Sequence, residues 1–172
     1  MKTGTKSLLF GVHNVIWHPI TVYIAWVKLY KKLPSPKEAV CIFIHDWGYW
    51  GCDSMDSEQG QKHPALAGAI LKKLGWSSKY VNMCIYHSRS YASMCDAEPS
   101  KLCWADKLSM CYDPVSFYLF RAKLSGELKE YREECVASGL CTLQQSNREW
   151  YGIIRQFLVN QYMQQIKHEE VC

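Results

Sequence analysis

The sequence predicts an all-α protein, a helical bundle with an additional amphipathic helix towards its C-terminal end. Three observations carry that prediction. Apolar residues recur at helical spacing in several separate stretches. Proline, serine and glycine punctuate those stretches where helices start and stop. No convincing strand, internal repeat or low-complexity tract is found along the chain.

Residues 8–27 are mostly apolar and about as long as a membrane span. They also carry His13, Asn14, His18 and Pro19, each costly in lipid. A packed helix with functional histidines accounts for the same residues, and no signal-peptide cleavage pattern follows. Residues 20–32 read as a helix that stops before Pro34-Ser35-Pro36. Ser35 is placed to cap the next helix, with Pro36 at its first position and Glu38 at its third. That helix, 36–46, presents Ala39, Ile42, Phe43 and Asp46 on one side.

Residues 48–62 read as a loop with Gly48, Gly51, Gly60 and the acids Asp53, Asp56 and Glu58. His63-Pro64 opens a helix to Leu74, with Leu66, Ile70, Leu71 and Leu74 on one face and Gly75 as its stop. A helix over 78–87 turns Val81, Cys84 and Ile85 inward, and 88–98 is a second loop. Residues 99–110 and 114–126 are helical, and 126–149 are polar and charged. Residues 149–167 place Trp150, Ile153, Ile154, Phe157, Leu158 and Tyr162 on an amphipathic stripe. That stripe docks on the core, and it can serve a homodimer equally well. The 172 residues suffice for one domain, 1–172, with a core over 10–123 and an extension over 124–172.

The net charge of +4 is mild and scattered. It suits small anionic partners and is too small to argue for a DNA or RNA track. The nine cysteines show no CxxC spacing and their number is odd. Cys41, Cys84 and Cys103 sit in apolar runs, where a free thiol behaves as a small hydrophobe. All nine read as reduced thiols of a cytoplasmic protein with no membrane segment.

The stretch CIFIHDWGYWG, residues 41–51, ends an apolar run with an imidazole and a carboxylate side by side. Burying either group alone costs several kcal/mol. His18, His45, Asp46, His63, His87 and Asp106 all sit at or near the boundary of an apolar helical stretch. Each alone reads as a helix-end group; together they read as one metal site. Neutral imidazoles with charge-balancing carboxylates suit Mn, Fe, Co, Ni or Zn.

In that order, His18 … His45-Asp46 … His63 … His87 … Asp106 resembles the HD superfamily of metal-dependent phosphohydrolases. The stretches HPALAGAILKKLG, YHSRSYA and SKLCWADKLS are similar to the second-metal and last-Asp segments of its dinuclear members. The resemblance covers about residues 10–123 and implies an all-α HD fold. It also implies two divalent ions. His18, His45, Asp46 and Asp106 would hold one; His63 and His87, with Asp46 bridging, would hold the other. His13, five residues earlier, competes with His18 as first ligand, and His18 is preferred.

The implied activity is hydrolysis of a nucleotide or other small phosphate ester or anhydride by a metal-activated water. Two other functions share the ligand set: a mixed-valence di-iron oxygenase, and a non-catalytic binding module with a structural metal. A phosphate needs cations, and Lys62, Arg89, Lys101 and Lys107 lie near the ligands in sequence. Arg89 is the first choice because its fork grips phosphate through two bonds. Asp53 and Glu58 are candidates for a general acid or for partners to a ligating histidine. Trp47, Tyr49 and Trp50 are placed to stack on a base or to fill the core.

Overall fold

Ser35 opens the helix that leads to the central His-Asp pair. Its hydroxyl accepts from the Glu38 amide, and the Glu38 carboxylate accepts from the Ser35 amide at 2.7 Å, so the expected capping box is formed. In this computed structural model, which describes residues 1–171 and side chains as far as Lys167, helices follow one another with short connections.

They are α1 (Thr3–Phe10), α2 (Trp17–Tyr30), α3 (Pro36–Ile44), α4 (Glu58–Gln61), α5 (Pro64–Lys73) and α6 (Ser78–Ile85). Then come α7 (Arg89–Met94), α8 (Lys101–Leu108), α9 (Val115–Ser125), α10 (Glu127–Ala137) and α11 (Asn147–Val171). Single 3₁₀ turns cover Trp47–Tyr49 and Ser109–Tyr112. There is no strand among the described residues, and the protein is all-α. No helix of the described residues is long and apolar enough to cross a membrane.

Two apolar clusters organise the bundle. The first joins α2, α3, α5, α6 and α8 through Val22, Trp26, Ile42, Leu71 and Leu102, all fully buried. The second joins α9, α10 and α11 to the start of the chain through Val12, Tyr118, Leu128, Trp150 and Tyr151. The Tyr151 hydroxyl donates to the Met110 and Asp113 carbonyls and so anchors α11. Of the stripe expected on the last helix, Trp150, Ile153, Ile154 and Leu158 dock on the core, while Phe157 is exposed.

Several expectations change. Cys135 and Cys141 form a disulfide in the second cluster rather than remaining thiols; Cys41, Cys52, Cys84, Cys95, Cys103 and Cys111 are free, and Cys172 lies outside the described residues. Residues 88–98 hold the short helix α7, capped by the Ser88 hydroxyl. Residues 48–62 hold the single turn α4. On α5 the buried face is Ala67, Gly68 and Leu71, while Leu66 and Leu74 are exposed. The cause is a close helix crossing: a Cβ on Gly68 would lie 2.4 Å from the Ile85 side chain, so the small residues must face inward. Phe43, expected to share one side of α3 with Ile42, is exposed, and Cys41 and Ile44 are buried beside Ile42 instead.

Candidate metal centre

Asp46 is the residue on which the others converge. It follows His45, the residue that ends α3, and starts the 3₁₀ turn. His18 lies in the first turn of α2, which begins at Trp17 rather than at residue 20. That start explains Pro19: in a first turn its missing N–H breaks no helical bond. His63 stands at the N-terminal end of α5, His87 just beyond the end of α6, and Asp106 within α8.

The two carboxylate oxygens of Asp46 face different ways. Oδ2 lies 3.1 Å from Nε2 of both His18 and His45. Oδ1 lies 3.3 Å from Nε2 of both His63 and His87. Asp106 Oδ1 closes the first group, 3.0 Å from His18 Nε2 and 3.5 Å from His45 Nε2. The result is two donor groups sharing one carboxylate: His18, His45, Asp46 and Asp106; and Asp46, His63 and His87. Within each group the candidate ligand atoms lie within 4.8 Å of one another, a spacing that can hold a metal ion.

Three of the rings are aimed by the same device. Nδ1–H of His45, His63 and His87 donates to the carbonyl three residues earlier, Ile42, Gly60 and Cys84, at 2.6–2.7 Å. That bond occupies the Nδ1 proton and points Nε2 at Asp46. His63 Nε2 and His87 Nε2 then face each other at 3.0 Å. Tyr49 stacks on His63 at 3.8 Å and holds its plane. His18 Nε2, His45 Nε2 and Asp46 Oδ2 are buried and lack a hydrogen-bond partner.

The electrostatics divide the two groups. Burial opposes a charge on His45 and His18, but the neighbouring carboxylates of Asp46 and Asp106 outweigh it and raise both. Burial likewise opposes ionisation of Asp46 and Asp106. The histidines around them outweigh it and hold both well below the usual carboxylate range. His63 goes the other way: burial pushes it down to about 4, so it is neutral at pH 7 with its lone pair free.

A cavity of about 580 Å³ opens onto the first group and is lined there by His13, His18, Asp106 and Lys107. Lys107 is therefore brought to the cluster. Arg89 is not among the residues lining this cavity; it lies 4.2 Å over the Trp104 ring and donates to Gln161 of α11. Glu58 is also held apart, exposed on α4 and paired with Lys62 at 2.6 Å. Asp53 pairs with Lys2 on the surface, and the Lys101 ammonium lies 6.0 Å over Tyr30. Of the three aromatics after Asp46, Tyr49 is buried, while Trp47 and Trp50 are exposed.

His13 has a different partner from His18. Its Nδ1 lies 2.9 Å from Glu127 Oε1. Glu127 is fully buried and accepts also from the Ser7, Ser125 and Tyr131 hydroxyls and the Val12 amide. Arg121 pairs with Asp113 and donates to the Gly11 and Val12 carbonyls. Together these bonds pin the segment leading to His18. Sequence reasoning missed Glu127, because it sits in a polar stretch 114 positions from His13 with no local motif to mark it.

No family model, curated protein or solved structure matches this chain.

Proposed function

We propose that the chain is a dinuclear metal-dependent phosphohydrolase of the HD type, acting on a small phosphate ester or anhydride. One observation carries the metal part. At Asp46 Oδ1, the buried Nε2 atoms of His63 and His87 converge on the carboxylate and on each other at separations of 3.0–3.3 Å, with their Nδ1–H groups already spent on backbone carbonyls. Lone pairs so placed repel unless a cation or proton lies among them. The fit extends to ligand chemistry: four imidazoles and two carboxylates suit first-row divalent ions.

When bound, two such ions supply a nucleophile from water at neutral pH and a sink for charge on phosphoryl oxygens. The chain's own residues do the rest. Asp46 spans both groups and sets their separation. The carbonyl-bonded histidines keep their Nε2 atoms fixed. The Asp106 side chain is 20% exposed, more open than the other ligands, and it lies on the cavity wall, so substrate arrives on that side. Lys107, on the same wall, meets the phosphate in place of Arg89.

The test is elemental analysis of protein purified without added metal or chelator, with turnover of phosphate esters measured alongside. Two Mn, Co, Ni or Zn ions per chain are expected. His63→Ala should fall towards one ion, and Asp46→Ala should lose both ions and all turnover. Two irons with oxygen consumption would replace the hydrolase by an oxygenase. A fully active Asp46→Ala would sink the site.

A further inference from the structure

We infer that the substrate is the monophosphate ester of an apolar, ring-sized alcohol, whose organic part occupies the cavity between α2, α8 and α9–α11. The inference rests on the phosphohydrolase reading and names what that site selects.

The cavity's volume of about 580 Å³ lies in the range of small-molecule sites. One part of its wall is the ligand pair His18 and Asp106, with Lys107 beside them. Most of the remainder is apolar: Val12, Met110, Tyr118, Trp150, Ile154 and Phe157. Trp150 and Ile154 belong to the amphipathic stripe, so the face that docks α11 also walls the cavity. Phe157 is exposed there, an aromatic ring left open beside buried neighbours.

The polar groups of the wall are a minority: His13, Ser109, Glu134, Ser138 and the Trp150 indole nitrogen, which has no hydrogen-bond partner, lie among the apolar side chains. The Tyr131 hydroxyl is already committed to Glu127, and Asp113 is committed to Arg121. Most of the surface of a polar ligand buried here would meet apolar side chains and lose its bonds to water. Charge sets the phosphate count. Lys107 is the one lysine among the described residues of the wall and no arginine joins it, whereas Glu134 adds negative charge. A second or third phosphate would find no further lysine or arginine on this wall and would face the Glu134 carboxylate. The reaction consumes one water: its oxygen bonds to phosphorus, the ester P–O bond breaks, and the alcohol leaves carrying a proton.

Calorimetric binding of 1-naphthyl phosphate, methyl phosphate and ATP to the full chain, with its own metal retained, tests this. Wild type, Phe157→Ala and Ile154→Trp are compared, and hydrolysis of each ester is followed in parallel. Naphthyl phosphate should bind at least about tenfold tighter than methyl phosphate. ATP should bind no tighter than methyl phosphate. Both variants should lose most of the naphthyl preference and keep their affinity for methyl phosphate. Equal binding of the two esters, or a preference unchanged in both variants, overturns the inference; tighter binding of ATP overturns its single-phosphate part. Naphthyl preference without turnover of any ester supports the cavity and overturns the hydrolase reading, so the two failures are distinguishable.

Discussion

At the scale of single residues, the ligand positions were legible because each combines a rare residue type with an odd location. An imidazole and a carboxylate at the end of an apolar helix need a reason, and the convergence of six such groups from five helices or helix ends supplies one. The choice of His18 over His13 was legible only in part; geometry decides it, since His13 is taken by Glu127. Glu127 itself was invisible, because Ser7, Val12 and His13, more than a hundred positions away, join Ser125 and Tyr131 in giving a buried carboxylate its meaning. Burial pushes that carboxyl up, but the bonds from His13, Ser125 and Val12 outweigh it and hold it below the ordinary value of 4.5. A depressed carboxyl adds stability above its unfolded value and loses it as pH falls through the folded one. Glu127→Gln puts an amide donor among hydroxyl and amide donors, at a cost of about 2–4 kcal/mol. Urea denaturation should show that full deficit at pH 7. The deficit should shrink as pH drops below 4.5, because the wild type then loses its own ionised carboxylate. A deficit that does not vary with pH would assign Glu127 a packing role only.

Among the elements, helices with a strong start signal were read well. The Ser35–Glu38 capping box and His63-Pro64 mark the beginnings of α3 and α5 in the sequence and in the fold. The helices α7 and α10 were missed, because neither carries an apolar stripe that periodicity could find. α10 is mostly polar and is held by Leu128, Cys135 and the buried Glu127. Burial on α5 was misjudged because size, not hydrophobicity, decides which side can approach α6. The same logic governs the turn after Asp46. A Cβ on Gly48 would lie 1.9 Å from the His63 carbonyl oxygen, so the turn and the start of α5 touch through backbone. Gly48→Ala must push His63 away from Asp46. The expected result is a chain that keeps its helical circular dichroism and melts lower by about 2–4 kcal/mol of stability. It should also lose the ion held by His63 and His87 before the other. Unchanged stoichiometry would mean that the backbone yields without moving the ring.

For the whole molecule, the separation into a core over 10–123 and an extension over 124–172 describes the motif better than the packing. The ligands fall inside the first stretch, yet the second supplies Glu127 to the segment before His18 and Trp150, Tyr151 and Leu128 to the second cluster. Trp150 and Tyr151 are each only 2% exposed. Burial of such side chains is worth roughly 2–3 kcal/mol apiece, against a total stability on the order of 5–15 kcal/mol for a domain. Removing the extension takes away these rings, the Glu127 network and one wall of the cavity together. It leaves Val12, Met110, Tyr118 and Ala122 facing water. A chain ending at Lys123 should therefore lose its cooperative thermal transition and both ions, although every ligand is still present. The expectation follows from where the stabilising contacts lie. The ligand order is local enough to be read along the chain, whereas the packing that holds His18 in place is distributed over both ends of it. A truncated chain that melts cooperatively and keeps two ions would show that the first cluster suffices to hold the metal centre.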